Sequence, residues 1–376
     1  MHNIDGTART IGILGAAAFL LITTGCRKDN GAPDVKQPAS VSSASGLSDH
    51  ADSDGLAGTR APDLASPPFQ TVAVTEYSFC TVNSSGALAC WPQLDWDAAA
   101  ARATDPPSAP TVVRGLETGV LSISGGGDGT CVITSSRELK CWGYASTDTP
   151  TLVNGLGSGV KAVAIGEDFT CAIAASGGLM CWGANRFGQL GDGTEDDRNV
   201  PTQVSGLPSG VLGITTGNWH ACALTSDRGV KCWGMSMSSK TGPNSPGFDP
   251  TKGGWMDTRN VPTPIAGLQS GVVAVSAGRY YTCAVTSAGA VKCWEGYSDV
   301  PKQIVGLESG VVDVATGYEC TCALTAAGAV KCWGNGERRC GEVPAVVAGL
   351  ESGITAISVR RSRLCAVTST GVVNYW

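Results

Sequence analysis

A cysteine followed eleven residues later by a tryptophan recurs seven times along this chain, and no other feature restricts its fold so strongly. The leading cysteines are Cys80, Cys131, Cys171, Cys222, Cys283, Cys322 and Cys365, separated by 51, 40, 51, 61, 39 and 43 residues. The tryptophans are Trp91, Trp142, Trp182, Trp233, Trp294, Trp333 and Trp376. Six of the units place a second cysteine just before the tryptophan: Cys90, Cys141, Cys181, Cys232, Cys293 and Cys332; the seventh has Tyr375 there. A period of this length marks a repeat architecture, in which a unit cannot bury its apolar face alone and its neighbours complete it.

Each unit also has an upstream half, as in GLQSGVVAVSAG at 267–278 and GLESGVVDVATG at 306–317, where Val alternates with small residues between glycine turns. Alternation with a period of two means strands, about four per unit. Repeats of about 40 residues with four strands each predict an all-β, seven-bladed β-propeller of four-stranded antiparallel blades. A solenoid fits less well, because Cys and Trp recur on a hairpin.

The cysteines fit that hairpin. If Thr325 pairs with Ala329, the loop is Ala326-Ala327-Gly328, whose last position needs the left-handed conformation that glycine supplies. Cys322 then lies opposite Cys332 at a non-hydrogen-bonded site, where Cα atoms are about 4.5 Å apart and a disulfide can close. Pairs Cys80–Cys90, Cys131–Cys141, Cys171–Cys181, Cys222–Cys232, Cys283–Cys293 and Cys322–Cys332 follow. The loop glycine recurs as Gly86, Gly177, Gly289 and Gly371, whereas Arg137 and Arg228 replace it, so those two hairpins are expected to turn differently. Zinc is the rival explanation, but zinc ligand pairs stand two to four residues apart and need further Cys or His. Cys320 and Cys340 fall on one rim and are expected to pair, leaving Cys365 free.

Residues 11–22 form a short apolar run preceded by Arg9 and followed by Thr23-Thr24-Gly25-Cys26. Twelve residues are too few to span a bilayer easily and suit the core of a signal peptide, here residues 1–25. Gly25-Cys26 resembles a bacterial lipoprotein cleavage box, which predicts a lipid on Cys26 and attachment to a membrane facing the periplasm or cell exterior; the alternative is an ordinary signal peptide with Cys26 incidental. Residues 26–65 are rich in Ser, Ala, Gly, Asp and Pro, the composition of a disordered tether, and the propeller is assigned to 66–376. Export agrees with disulfides, which need an oxidising compartment. The net charge of −6 repels phosphate backbones, so no nucleic-acid partner is expected.

Antiparallel order sorts the connections onto two rims. Calling the strands of a repeat A to D, with A near 201–206 and D ending at the tryptophan, the A–B and C–D turns share one rim and are tight and nearly invariant. The B–C and D–A loops share the other and hold most of the length variation. That second rim also carries Tyr77, Phe169, Trp219, Tyr280, Tyr281 and Tyr318 in B–C loops, and Trp96 and Trp255 in long D–A insertions. Variable loops on a rigid scaffold are where binding resides, and Trp and Tyr anchor interfaces. A structural role, plugging the channel or covering blade ends, is the alternative for any single ring.

The stretch CWGANRFGQLGDGT at 181–194, with Pro201 and Gly206-Leu207, resembles the regulator-of-chromosome-condensation repeat, and the resemblance extends over about 66–376. It implies a seven-bladed propeller. Members include a eukaryotic exchange factor for a nuclear GTPase and secreted bacterial inhibitors of β-lactamases. Only the third repeat keeps the whole Gly-Gln-Leu-Gly signature, 188–191.

Catalysis is poorly provided for. Of three histidines, only His220 lies in the folded part, at a position the resemblance makes structural. No triad with a choice of base and no multi-histidine metal site can be built, and no cofactor or metal is implied. The acidic loop Asp192, Glu195, Asp196 and Asp197 lacks EF-hand spacing. The expected function is a non-enzymatic scaffold for protein–protein recognition at the cell envelope. The alternative is a glycan-binding module or a carboxylate-based glycoside-active propeller; guanine-nucleotide exchange rests on fold analogy alone.

Overall fold

A computed structural model of the chain describes residues 69–74, 79–83, 85–91, 111–127, 129–143, 149–236, 248–249, 254–255, 257–295, 300–334, 340–360, 363–369 and 373–375. The signal peptide, Cys26 and the tether lie outside these residues.

All described elements are strands, arranged as six four-stranded sheets, one three-stranded sheet and a separate two-stranded ladder. The seven larger sheets are the blades of a seven-bladed propeller. The innermost strands of the second to seventh blades are Val120–Gly125, Ala162–Ile165, Val211–Thr216, Val272–Ala277, Val311–Thr316 and Ile354–Arg360. Each blade then continues outward in chain order. The fourth, for example, adds His220–Thr225, Val230–Ser236 and Asp257–Pro264.

This order shifts the blade relative to the sequence repeat. The strand after the tryptophan pairs outward onto the strand that carries it, so Met180 faces Gln203 and Cys181 faces Thr202. Strand A of one repeat therefore completes the blade of the repeat before it. The A–B turns step between blades, while the rim assignment is unchanged. In the seventh sheet the third strand, Val373–Tyr375, is outermost among the described residues.

The core consists of the interfaces between blades. Leu88 of the first blade meets Val120, Ile123 and Val132 of the second, and Trp142 packs back against the same cluster. Leucines of the Gly-Leu turns, such as Leu116, Leu268 and Leu350, are buried at the blade ends. In three of these turns a glutamate closes the structure: Glu117, Glu308 and Glu351 accept the N–H of Gly115, Gly306 and Gly349 at 2.8–2.9 Å. That bond holds each carboxyl below the usual range.

Facing pairs such as Cys283 with Cys293 and Cys322 with Cys332 occupy opposite positions of each hairpin. Cα separations across the six hairpin disulfides are 4.0–4.1 Å. Cys320 and Cys340 are also bridged, with Cα atoms 5.7 Å apart. Cys365 pairs in register with Tyr375.

The hairpins with arginine do not turn differently. Arg137 and Arg228 take φ of 61° and 63°, beside 78° for Gly328. The reason lies in the next blade. The carbonyl of this residue accepts an N–H at or just before the start of the neighbouring innermost strand: Gly86 from Val120, Arg137 from Val160, Arg228 from Val272 and Gly328 from Ile354, at 2.9–3.0 Å. A different turn would break the bond between blades, so the left-handed conformation is kept despite a cost of about 1 kcal/mol for a side chain there.

Candidate binding rim

The B–C turns surround the propeller axis. Gly126, Gly166, Gly217, Gly278 and Gly317 each precede the first cysteine of their repeat by five residues and close the ends of successive innermost strands. They touch one another. A Cβ on Gly126 would lie 2.5 Å from the carbonyl oxygen of Gly166, and one on Gly166 would lie 2.9 Å from that of Gly217; Gly217 and Gly278 approach the next glycine's carbonyl still more closely. Their fixed spacing was a readable signal that sequence reasoning passed over. Arg360 holds the equivalent place in the seventh blade.

Above this belt opens a cavity of about 120 Å³, lined by Ser124, Ile165, Thr215, Thr316, Tyr318 and Val359, among others. Several hydroxyls there are spent between blades: Thr215 accepts from Ala277 N–H, and Thr316 donates to the Ser276 carbonyl.

Three of the rings singled out in the sequence meet in one row beside the cavity. Trp219 lies 5.8 Å from Phe187 and 5.5 Å from Tyr280, ring centre to ring centre. The Arg279 guanidinium stands 4.9 Å from the centre of Tyr280 and 5.4 Å from that of Tyr318. At the other end, Arg186 stands 4.9 Å from the centre of Phe187. Tyr318 then donates its hydroxyl to Glu167 at 3.1 Å. The row thus draws on the third, fourth, fifth and sixth blades. Phe187, Arg186, Arg279 and Glu167 were not foreseen, because only the turning of successive blades brings them together.

The remaining rings are placed differently. Phe169 is 2% exposed, inside the core of the third and fourth blades, so its ring is a blade-end plug and not a contact surface. Tyr281 is half-buried against the interface of the fifth and sixth blades, where burial, with Glu295 nearby, pushes its hydroxyl pKa up. Trp255 faces Phe248 across the two-stranded ladder in the long insertion of the fourth blade, and Met235 is buried. Tyr77 and Trp96 lie outside the described residues.

His220 is a packing residue. Its Nε2 lies 2.9 Å from the Thr282 hydroxyl of the next blade, and burial pushes its pKa down to about 4, leaving the ring neutral. The acidic loop is likewise internally engaged. Asp192 accepts from Thr194 and from Arg198, the latter at 2.8 Å, and Asp197 accepts the N–H of Asn185 at 2.7 Å. Burial opposes the charge of Asp192, but these bonds outweigh it and hold the carboxyl low. Among the described residues no cluster of three His, Cys, Asp or Glu could hold a metal.

Comparison with known proteins agrees with this architecture. The regulator of chromosome condensation (RCC1) repeat matches residues 176–224, and a second form of it matches 160–189, 211–238 and 311–341. The structure is similar to human WBSCR16, with a TM-score of 0.65 at 18% identity over 83% of this chain and 87% of that one. It is also similar to Prp20p of Saccharomyces cerevisiae, with a TM-score of 0.61 at 16% identity over 82% of both chains. That protein has been described with respect to binding Gsp1p and histones, and in a complex of yeast RCC1 (Prp20) with Kap60. At these identities the likeness concerns the fold. The chain carries regulator-of-chromosome-condensation repeats and folds as the propeller of such proteins.

Proposed function

We propose that this protein is a non-enzymatic scaffold that binds a protein partner at the cell envelope through the rim of its B–C turns. The row from Phe187 through Trp219 and Tyr280 to Tyr318 carries this reading: three half-buried rings from neighbouring blades, Trp219, Tyr280 and Tyr318, are held beside the cavity, with the buried Phe187 packed against Trp219. Aromatic side chains fixed in this way lose little entropy on binding and are the usual anchors of interfaces. His220, neutral and engaged with Thr282, supports a role in packing over one in catalysis. The likeness to Prp20p, which binds protein partners, supports the general class, and not exchange activity.

Export through residues 1–25 and lipidation at Cys26 complete the proposal, and the seven disulfides support an oxidising location. The test is crosslinking in the intact envelope, comparing wild type with Trp219→Ala and Tyr280→Ala. A protein captured by wild type and lost from both variants, at unchanged thermal stability, is the expected result. Identical capture by all three would move the binding surface elsewhere. Release of a Cys26→Ser variant from the membrane fraction would test the anchor separately.

A further inference from the structure

We infer that the partner segment docking on this rim is an acidic linear peptide, gripped by Arg186 beside Phe187 and by Arg279 between Tyr280 and Tyr318. The inference rests on the protein-binding reading above and narrows it.

Four carboxylates near the row are hydrogen-bonded within the chain, and Asp196 is exposed in the loop that carries three of them. Asp192 is bound to Arg198, Asp197 to the Asn185 N–H, Glu195 to the Thr258 hydroxyl and Glu167 to Tyr318. Arg186 and Arg279, both exposed, contact ring faces, and neither has a carboxylate within ion-pair distance among the described residues. A guanidinium lying on a ring is held in place with its N–H edges still able to donate, which suits bidentate capture of a carboxylate.

The rings themselves argue against a neutral sugar. Trp219 is flanked by Phe187 and Tyr280, tilted at 58° and 44° to it, and Tyr280 is flanked by Trp219 and Arg279. The row therefore offers edges and cations, where stacking of a sugar needs an open ring face. An extended peptide can lay side chains across the edges and place Asp or Glu at the guanidiniums.

The experiment is selection from a display library of randomised linear peptides on the wild-type propeller, followed by affinity measurement of the enriched sequences. Enrichment in Asp and Glu is expected. Their binding should weaken about tenfold in Arg279→Gln and in Arg186→Gln, partly recover in Arg279→Lys, and fall as salt is raised, while thermal unfolding stays unchanged. Replacing Asp and Glu of the peptide by Asn and Gln should have the same effect as the arginine variants. Enriched peptides that are neutral or basic, bound equally by Arg279→Gln but lost in Trp219→Ala, would overturn the acidic preference and leave the rim as the binding site. Failure to enrich any sequence, or enrichment insensitive to Trp219→Ala as well, would overturn both.

Discussion

The indole N–H of Trp233 donates to the backbone carbonyl of Gln189 at 2.9 Å, joining a fourth-blade strand to the loop of the third. Gln189 belongs to the one complete Gly-Gln-Leu-Gly signature in the chain, and Gly191 packs directly on the indole. In the sixth blade the buried indole N–H of Trp333 lies beside the Tyr281 hydroxyl but makes no hydrogen bond of proper geometry. Trp233→Phe should therefore cost about 1–3 kcal/mol in denaturant unfolding, because a buried carbonyl loses its donor. Trp333→Phe should cost distinctly less. Equal losses would mean that ring volume alone matters.

The glycine belt gives a second contrast. An alanine at Gly278 would push its Cβ into the carbonyl oxygen of Gly317, a backbone atom that cannot yield without moving a blade. Gly206 has the left-handed φ of 68° but open space around it. Gly278→Ala should destabilise by about 2–4 kcal/mol and Gly206→Ala by about 1 kcal/mol. Thermal unfolding of the two proteins decides it.

Arg137 holds a left-handed conformation so that its carbonyl can reach Val160. Arg137→Gly relieves the strain at some cost in unfolded-chain entropy, so a gain of up to about 1 kcal/mol is expected. A loss would show that the arginine side chain contributes more than the turn costs.

Two half-buried groups, His220 and Asp313, work against each other in acid. His220 has its pKa lowered to about 4, so the unfolded chain binds the extra proton and this contribution to stability is lost as pH falls from about 6.5 to 4. Asp313 has its pKa raised to about 6 by burial, against a bond from the Val314 N–H, so its contribution is present below its ordinary value near 4 and is lost as pH rises towards 6. Both residues keep partial exposure, so about 1–2 kcal/mol each is expected. Asp313→Asn should gain stability at neutral pH and steepen the acid dependence that remains. A pH–stability profile identical to wild type would refute the assignment.

Partial reduction should follow access. Both sulfurs of the Cys171–Cys181 and Cys283–Cys293 bridges are buried, whereas Cys340 keeps some exposure. Cys320–Cys340, together with Cys80–Cys90 and Cys131–Cys141, whose Cys90 and Cys141 also keep some exposure, should open under mild thiol before the two buried bridges, read by alkylation and peptide mapping. Early opening of Cys283–Cys293 would contradict this.

How much of this was legible in sequence depended on distance along the chain. The hairpin register of Cys322 and Cys332 follows from ten residues and one turn, and the repeat alone predicts the propeller. The blade boundary was not legible, because Gln203 can serve the strand before it as well as the one after it, and pairing with Met180 is decided by the whole sheet. Arg137 looked like a broken rule until Val160 of the next blade supplied the reason. The row from Phe187 to Tyr318 has no local signature at all; Tyr318 and Glu167 are 151 residues apart.

All six hairpin disulfides close within a single blade, and the bonds from Arg137 to Val160 and its counterparts that join blades are noncovalent. Heating the oxidised protein would thus release the ring before it released the hairpins. The denatured chain would be a string of preformed cross-linked ribbons, already holding much of the local order that a β-rich chain must otherwise search for. Refolding from that state is assembly of ready parts, whereas refolding of the reduced chain begins from unpaired strands. The staples would then act on how quickly the propeller is regained after unfolding as much as on how firmly it stands.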